Sequence, residues 1–238
     1  MKNKKIKSIG KDKALSAVKS WKNTLTNIPC FIIGNGPSLD DDLPKDKSDI
    51  LDDYFTVGIN RSFLRCDTTV LTFQDMSLWW TERKVLVKQK SIILCRNRAD
   101  PENKFFHFLL LGGQYDLPKD GNPSALIGRG SSGPLAFQIA FYLGCSPIVL
   151  LGMDCRYRDG KTDFFGVNTM HREKSTLKNC KLGLEWIRDC NCGREVINCS
   201  DNKVFDHRRK LKEVLSSLPN LEAHDREYFK NRILNNKK

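Results

Sequence analysis

Short apolar runs alternate with polar, glycine-containing segments along most of the chain. Runs of strand length occupy residues 29–34, 54–60, 69–73, 91–95 and 147–152. Each run is almost continuously apolar and is followed by polar residues, which is typical of strands buried on both faces of a parallel sheet. A late strand is predicted at residues 194–198, and residues 105–111 form a candidate extra strand.

Helical periodicity appears between and after these strands. It predicts helices over residues 135–143 and 174–189, and a later helix that contains Leu211 and Val214. Strands that alternate with helices indicate an α/β fold. We therefore expect a Rossmann-like, mainly parallel sheet with helices on both faces, in a single domain.

The two ends of the chain differ from this pattern. Residues 1–26 form a basic amphipathic segment, in which Val18 and Trp21 belong to an apolar stripe that we expect to dock onto the domain. Residues 27–220 form the predicted nucleotide-binding α/β domain, and residues 221–238 a basic C-terminal tail. Residues 100–129 are irregular and rich in glycine and proline, so we expect a lid or an acceptor surface there.

Composition and charge narrow the possible environments. No apolar stretch is long enough to cross a bilayer and no secretory signal follows the basic N-terminus, so a cytoplasmic protein is expected. The nine cysteines are an odd number, which favours free thiols in a reducing compartment. A zinc site built around Cys190 and Cys192 is the less favoured alternative. The net charge of +12 permits an anionic substrate, a nucleic acid or an anionic membrane surface as partner.

The first strand ends in an unusual loop, whose sequence is Gly34-Asn35-Gly36-Pro37-Ser38. Glycines at the carboxyl end of a buried strand allow the backbone to approach a phosphate or ribose. No third glycine completes the dinucleotide fingerprint, and no Gly-Lys-Ser/Thr follows to make a Walker loop. The loop predicts a nucleotide site, but not one of a dehydrogenase or a P-loop enzyme.

Other polar residues follow the predicted strands at the same edge of the sheet. They are Asn60, Asp75 and Asp154, and the residues Ser131, Ser132 and Gly133 begin a helix beside them. A helix N-terminus of this kind offers unpaired backbone N–H groups to an anion. We therefore expect these residues to surround one nucleotide.

Three features of the sequence resemble bacterial CMP-sialic-acid-dependent sialyltransferases. They are the glycine loop, the strand that ends at Asn60, and the Ser-Ser-Gly helix start followed by a strand ending in Gly152-Met153-Asp154. They are equally similar to the MptE-like and flagellin-Maf-like proteins. The resemblance spans residues 28–200. It implies a glycosyltransferase that uses a CMP-sugar-like nucleotide donor and transfers the sugar to a glycan or lipopolysaccharide-type acceptor. No Asp-x-Asp pair appears among the likely site residues, so we expect the transfer to be independent of a metal.

The resemblance also implies roles for single residues. Gly34, Asn35, Gly36, Ser38, Asn60, Ser132 and Gly133 would line the nucleotide. Asp75 falls near the sugar nucleotide and is a candidate catalytic residue. The sialyltransferases use a histidine base before a late helix. Here Ser175 occupies the nearest matching offset and His171 lies about one turn earlier, which makes His171 the candidate base.

Two other functions remain open. An MptE-like pyrophosphokinase would act on a pterin-type alcohol with ATP and Mg²⁺, held by carboxylates such as Asp75 and Asp154. A nucleic-acid-binding or nucleic-acid-modifying protein would account for the positive charge, although no nucleic-acid motif is present. For a transferase that acts on surface glycans, the basic termini would favour a location at the inner face of the membrane.

Overall fold

The structure is a computed structural model. It describes residues 18–47, 49–96, 99–102, 104–111, 117, 121, 123–166, 174–190, 192–218 and 224–235. Within these ranges no helix is long and apolar enough to cross a membrane.

The eight strands of the described chain form one entirely parallel sheet in the order β6-β5-β4-β3-β2-β1-β7-β8. The strands are β1 Cys30–Ile33, β2 Phe55–Ile59, β3 Val70–Phe73, β4 Ile92–Arg96, β5 Phe106–Leu111, β6 Ala125–Ile127, β7 Ile148–Leu151 and β8 Val196–Asn198. The order reverses between β1 and β7, where Cys30 pairs with Ile148 and Ile33 with Leu151. The predicted Rossmann-like α/β fold is confirmed.

The helices of the described residues are α1 Leu39–Asp42, α2 Met76–Leu86, α3 Ser132–Leu143, α4 Lys174–Asp189, α5 Leu211–Ser217 and α6 Arg226–Leu234. Helices cover both faces of the sheet because alternate strand residues point in opposite directions. Ile32 packs with Leu135 of α3 and Leu184 of α4 on one face. Its neighbour Ile33 packs with Leu39 of α1 and Leu211 of α5 on the other.

The central helix α3 is apolar almost all round and nearly every residue of it is buried. The polar side chain of Gln138, in the middle of this helix, is completely buried and is satisfied by the backbone of β6. The N–H of Ile127 donates to its Oε1 (2.8 Å), and its Nε2 donates to the carbonyl of Ile127 (2.9 Å). This pairing fixes α3 against the edge of the sheet, and so fixes where the N-terminus of α3 lies.

Both ends of the described chain enter the core. Val18, Trp21 and Leu25 are buried in the same cluster as Phe229 and Ile233 of α6. Residues 18–25 of the N-terminal segment therefore dock onto the domain. The predicted apolar stripe also contains Ile6, Ala14 and Leu15, which lie outside the described residues. Residues 226–234, assigned from sequence to a basic tail, form a helix that contributes to the core.

Two segments of residues 100–129, expected to be irregular, are strands. Residues 106–111 form β5, as the candidate extra strand suggested, and β6 at Ala125–Ile127 was not predicted. The helix α2 after β3 was not predicted either. It carries polar residues at many positions, and only Leu78, Trp79 and Leu86 are buried.

Candidate functional site

A cleft opens at the carboxyl edge of the sheet, where the strand order reverses between β1 and β7. Open α/β sheets bind ligands at this position because the loops on either side of the reversal diverge. The cleft contains about 730 Å³ of empty space, part of it open to solvent. Its lining comes from the loops after β1, β2, β3 and β7, from the start of α3, and from α4: Gly34, Asn35, Gly36, Ile59, Asn60, Gln74, Asp75, Gly130, Ser131, Ser132, Gly133, Gly152, Met153, Asp154, Cys155, Thr162, Asp163, Thr176, Leu177 and Cys180.

Most residues predicted from sequence meet in this cleft. Those that line it are Gly34, Asn35, Gly36, Asn60, Asp75, Ser131, Ser132, Gly133 and Asp154. Pro37 and Ser38 are instead buried and do not line the cleft, and the hydroxyl of Ser38 donates to Asp154. His171 lies outside the described residues, so its role as the base stays a prediction.

Asp154 ties together the loops that follow β1, β7 and β8. Its Oδ2 accepts the backbone N–H of Ser38 (2.7 Å), and its Oδ1 accepts both the Ser38 hydroxyl (2.5 Å) and the N–H of Asp201 (2.9 Å). Burial raises the pKa of this carboxyl even though these donors favour its ionised form. With both oxygens engaged and the residue only 3% exposed, Asp154 organises the cleft wall.

The glycines of the first loop allow it to touch the loop after β7. A Cβ on Gly34 would collide with the carbonyl oxygen of Gly152, and one on Gly36 would lie 2.5 Å from Cγ of Asp154. The N–H of Gly36 donates to the Gly152 carbonyl at 2.7 Å. Gly152 itself has φ +61, a conformation that glycine adopts without strain. The close packing of these two loops is thus enough to explain why the chain has glycine at these positions.

Two asparagines present polar groups to the cleft. The carbonyl oxygen of Asn35 accepts the N–H of Phe164 (2.7 Å), whereas its side-chain Oδ1 is buried and has no hydrogen-bond partner. Asn60 has φ +51, and its Oδ1 accepts the hydroxyl of Ser132 at 3.3 Å. A buried amide oxygen without a partner is uncommon in proteins, and a ligand donor is one way to satisfy it.

The N-terminus of α3 points into the cleft. Its N-cap is Ser131, whose side chain makes no capping hydrogen bond. The first-turn N–H groups and the positive end of the helix dipole are therefore not neutralised by a cap, and Ser132 and Gly133 line the cleft beside them. Together with the unpartnered oxygen of Asn35, this arrangement suits a ligand that carries both a phosphate and hydrogen-bond donors.

Helix α4 forms the opposite wall. Gly183 allows it to pack closely on α3, because a Cβ there would lie 2.8 Å from Cγ of Pro134 and 2.8 Å from Oγ of Ser131. The thiol of Cys180 on α4 hydrogen-bonds to that of Cys155, and this contact, with burial, raises the pKa of Cys155. The sequence predicts α4 and places a candidate base beside its start, but it does not predict that Thr176, Leu177 and Cys180 line the cleft. Helical periodicity does not indicate which loop a helix packs against.

The loop after β7 contributes Thr162 and Asp163, which sequence reasoning missed. Asp163 is 1% exposed and accepts the hydroxyl of Thr162 at 2.9 Å. The loop is held in place by Arg158, which donates to both carboxylate oxygens of Asp41 (2.6 and 3.1 Å). Asp41 belongs to the acidic run of α1, whose other members pair with Arg65 and Arg208. The acidic run therefore anchors loops through arginine.

A second lobe extends the cleft across the end of β3. It adds Arg61, Ser77, Leu78 and Asn179, and it shares with the first lobe Asn35, Asn60, Gln74, Asp75, Gly130 and Thr176. Asp75 is the N-cap of α2 and its side chain makes no capping bond. Being exposed and common to both lobes, Asp75 lies where two bound molecules would meet.

His107, Cys190 and Cys192 do not line the cleft. His107 is completely buried on β5. Cys190 and Cys192 hydrogen-bond to each other at the end of α4, which lowers the pKa of Cys192 to about 6. Cys180, a further candidate ligand for a zinc site near Cys190, contacts Cys155 in the cleft instead.

Comparison with known proteins identifies a structural neighbour. No protein family model matches the chain, and no curated protein sequence matches it. Among solved structures, the chain is similar to a Maf glycosyltransferase from Magnetospirillum magneticum AMB-1, with 17% sequence identity and a TM-score of 0.58. The match covers 95% of this chain but 42% of that chain, so this chain spans less than half the length of its neighbour. The chain thus shares its fold with part of a Maf glycosyltransferase.

Proposed function

We propose that the chain is a nucleotide-sugar-dependent glycosyltransferase that transfers a sugar to a glycan-type acceptor. The observation that carries the proposal is the uncapped N-terminus of α3, which opens beside the unpartnered Oδ1 of Asn35 in the cleft. The fold that the chain shares with a Maf glycosyltransferase supports the same function.

In the proposed complex, the phosphate of the donor binds at the first turn of α3. Backbone N–H groups and the helix dipole stabilise the phosphate charge there, including the charge that develops as the nucleotide leaves. The Oδ1 of Asn35 accepts a donor hydrogen from the base or the ribose, and Ser132 and Asn60 hold the rim. A monophosphate donor of the CMP-sugar type is favoured, since one helix terminus can offset its charge without a metal ion.

The second lobe is the proposed acceptor site. An acceptor hydroxyl that reaches the donor sugar from this lobe passes Asp75, which belongs to both lobes. A carboxylate in this position can remove the hydroxyl proton as the glycosidic bond forms. His171, suggested by the resemblance, is the alternative base. We further propose that the acceptor is a surface glycan and that the basic chain contacts an anionic membrane.

The pyrophosphokinase alternative requires Asp75 and Asp154 to hold Mg²⁺, and the contacts of Asp154 do not favour this. Both oxygens of Asp154 already accept hydrogen bonds, from Ser38 and Asp201, and its side chain is buried. Coordinating a metal would require these bonds to break. Nucleic-acid binding rests on the net charge alone.

Nucleotide binding to the full chain tests the proposal. Isothermal titration and thermal shift with CMP, CDP, UDP, GDP, ADP and ATP, each with and without Mg²⁺, identify the nucleotide. We expect binding without Mg²⁺, and Asn35→Ala to weaken it by about 5- to 100-fold, the range for losing one buried hydrogen bond. Asn231→Ala, an exposed asparagine on α6, is the matched control.

The nucleotide identified in this screen determines which nucleotide sugar is used to test activity. Nucleotide release from the corresponding nucleotide sugar, measured without an acceptor, reports donor cleavage. Binding of ATP only with Mg²⁺ would favour the pyrophosphokinase, and no binding of any nucleotide would overturn the proposal.

A further inference from the structure

Three side chains with metal-binding atoms meet inside the sheet, away from the cleft. Cys95 lies on β4 and His107 on β5, and the two are register partners across the parallel pair. Asp100 belongs to the connection between these strands. One ligand atom from each of the three lies within 4.8 Å of the others, and each side chain is completely buried. No other group of three or more such side chains was found in the described part of the chain.

The hydrogen bonds within this cluster are incomplete. Oδ2 of Asp100 accepts the N–H of Phe105 (2.8 Å) and lies 3.1 Å from Nε2 of His107. Oδ1 of Asp100 and Nδ1 of His107 are both buried without a partner. Buried polar atoms in native proteins are nearly always paired, so two orphaned atoms in adjacent side chains indicate that a partner is missing.

The charge on the Asp100 side chain has few partners. Among the described residues, His107 is the one basic side chain within ion-pair distance of Asp100. A buried carboxylate without full compensation is costly. A divalent cation would supply positive charge and coordinate lone pairs of these side chains at the same time.

We propose that Cys95, Asp100 and His107 bind a structural zinc ion. A set of one sulfur, one nitrogen and one oxygen ligand suits borderline-soft Zn²⁺ better than Mg²⁺ or Ca²⁺, which take oxygen ligands. Binding releases the Cys95 thiol proton to solvent. The thiolate and the carboxylate then balance the two charges of the ion, and His107 binds as neutral imidazole. A water molecule or a further protein atom completes four-coordination.

The position in the fold explains what the ion would do. The connection from Arg96 at the end of β4 to Phe106 at the start of β5 spans residues 97–105, shorter than the dozen or more residues of a usual parallel crossover. A metal that links β4, the connection and β5 would hold this short crossover, and with it β5 and β6 at the edge of the sheet. None of the three ligands lines the cleft, so the ion has no part in the proposed transfer.

Metal content of the full chain, purified without a histidine tag, tests the site. The protein is stripped with a chelator, reloaded with Zn²⁺, desalted and analysed by elemental mass spectrometry. We expect about one zinc per chain in the native protein. Cys95→Ser and Asp100→Asn should each raise the Kd for zinc at least about 100-fold, exceeding the usual effect of losing an outer-shell partner. Cys199→Ser, at a completely buried cysteine elsewhere in the core, should leave it unchanged.

Cobalt loading of the native chain gives a result that does not depend on a variant folding. Co²⁺ bound at this site should show a thiolate-to-cobalt charge-transfer band, and chelation should lower the Tm. Absence of stoichiometric metal, or a cobalt spectrum without the thiolate band, would overturn the proposal. Loss of zinc in the double variant Cys190→Ser/Cys192→Ser, with zinc retained in Cys95→Ser, would overturn it as well.

Discussion

Ser38 donates two hydrogen bonds to the carboxylate of Asp154, one from its backbone N–H (2.7 Å) and one from its hydroxyl (2.5 Å). The two residues are 116 positions apart in the chain. Their contact joins the loops that follow β1 and β7 across the reversal of the sheet, and the proposed donor site lies between those loops.

The first prediction concerns this contact. Asp154→Asn places an amide N–H₂ where an acceptor is needed, and should lower the free energy of unfolding by about 2–3 kcal/mol. Ser38→Ala loses only the hydroxyl bond and should cost about 1 kcal/mol. Urea unfolding measures both. Equal losses in the two variants would contradict the central role of Asp154.

The pH dependence of the same variant has a defined sign. Burial raises the folded-state pKa of Asp154 above its ordinary value of 3.8. A raised carboxyl pKa contributes stability at low pH that is lost as the pH rises through the folded pKa. The destabilisation by Asp154→Asn should therefore be larger near pH 4 than at pH 7, measured by urea midpoints. A loss that grows with pH would contradict the raised pKa.

Close packing of the loops after β1 and β7 predicts that substitution by alanine destabilises the protein more at Gly34 than at Gly160. Gly34→Ala drives a Cβ into the carbonyl of Gly152 and should cost about 3 kcal/mol or more, because neither backbone can move away. Gly160→Ala is the control. Its φ is +74 but nothing lies within 4 Å of a Cβ there, so only backbone strain of about 1 kcal/mol is expected. Thermal unfolding compares the two.

Asp75 is predicted to act in the chemical step. Asp75→Asn should lower kcat by about 10²- to 10⁴-fold, the usual effect of removing a general base, and leave the Kd of the nucleotide within about threefold. Asp53→Asn, at an exposed carboxylate outside the cleft, is the control. Transfer or donor cleavage and nucleotide titration are measured on the same samples. An unchanged kcat would rule out this role and leave the base elsewhere.

The thiols should differ in reactivity. A hydrogen bond with Cys190 lowers the pKa of Cys192 to about 6, so its alkylation by iodoacetamide should rise with pH through about 6 and level off above 7. Cys190→Ala should move that midpoint upward.

Cys155 and Cys180 line the cleft, so bound nucleotide should slow their alkylation and leave Cys192 unaffected. Mass spectrometry of labelled peptides resolves each site.

The sequence predicts the sheet and most of the cleft because the information is local. Strands such as β1 and β7 are continuous apolar runs, and each is followed directly by its polar loop residues. Parallel topology then brings Asn35, Asn60 and Asp75 to one edge without any knowledge of side-chain contacts.

The rest depends on contacts between distant segments. The sequence predicts that Ser38 binds the nucleotide, and only the fold shows that its hydroxyl donates to Asp154. Asp163 lies in an irregular loop whose position is set by the pair of Arg158 with Asp41, so no periodicity marks it. Likewise β6 has three residues, too few to give a pattern, and its place is fixed by Gln138 of α3.

The pairing of β1 with β7 also has a consequence for synthesis. Strands β1 to β6 lie side by side in chain order, so each can join the sheet soon after it leaves the ribosome. The other side of β1 stays open until β7 is made, and the core on one face is complete only when Phe229 contacts Phe55. We therefore expect the nascent chain to expose one edge of β1 until β7 has been made, and the donor site to form only after β1 to β6 have paired.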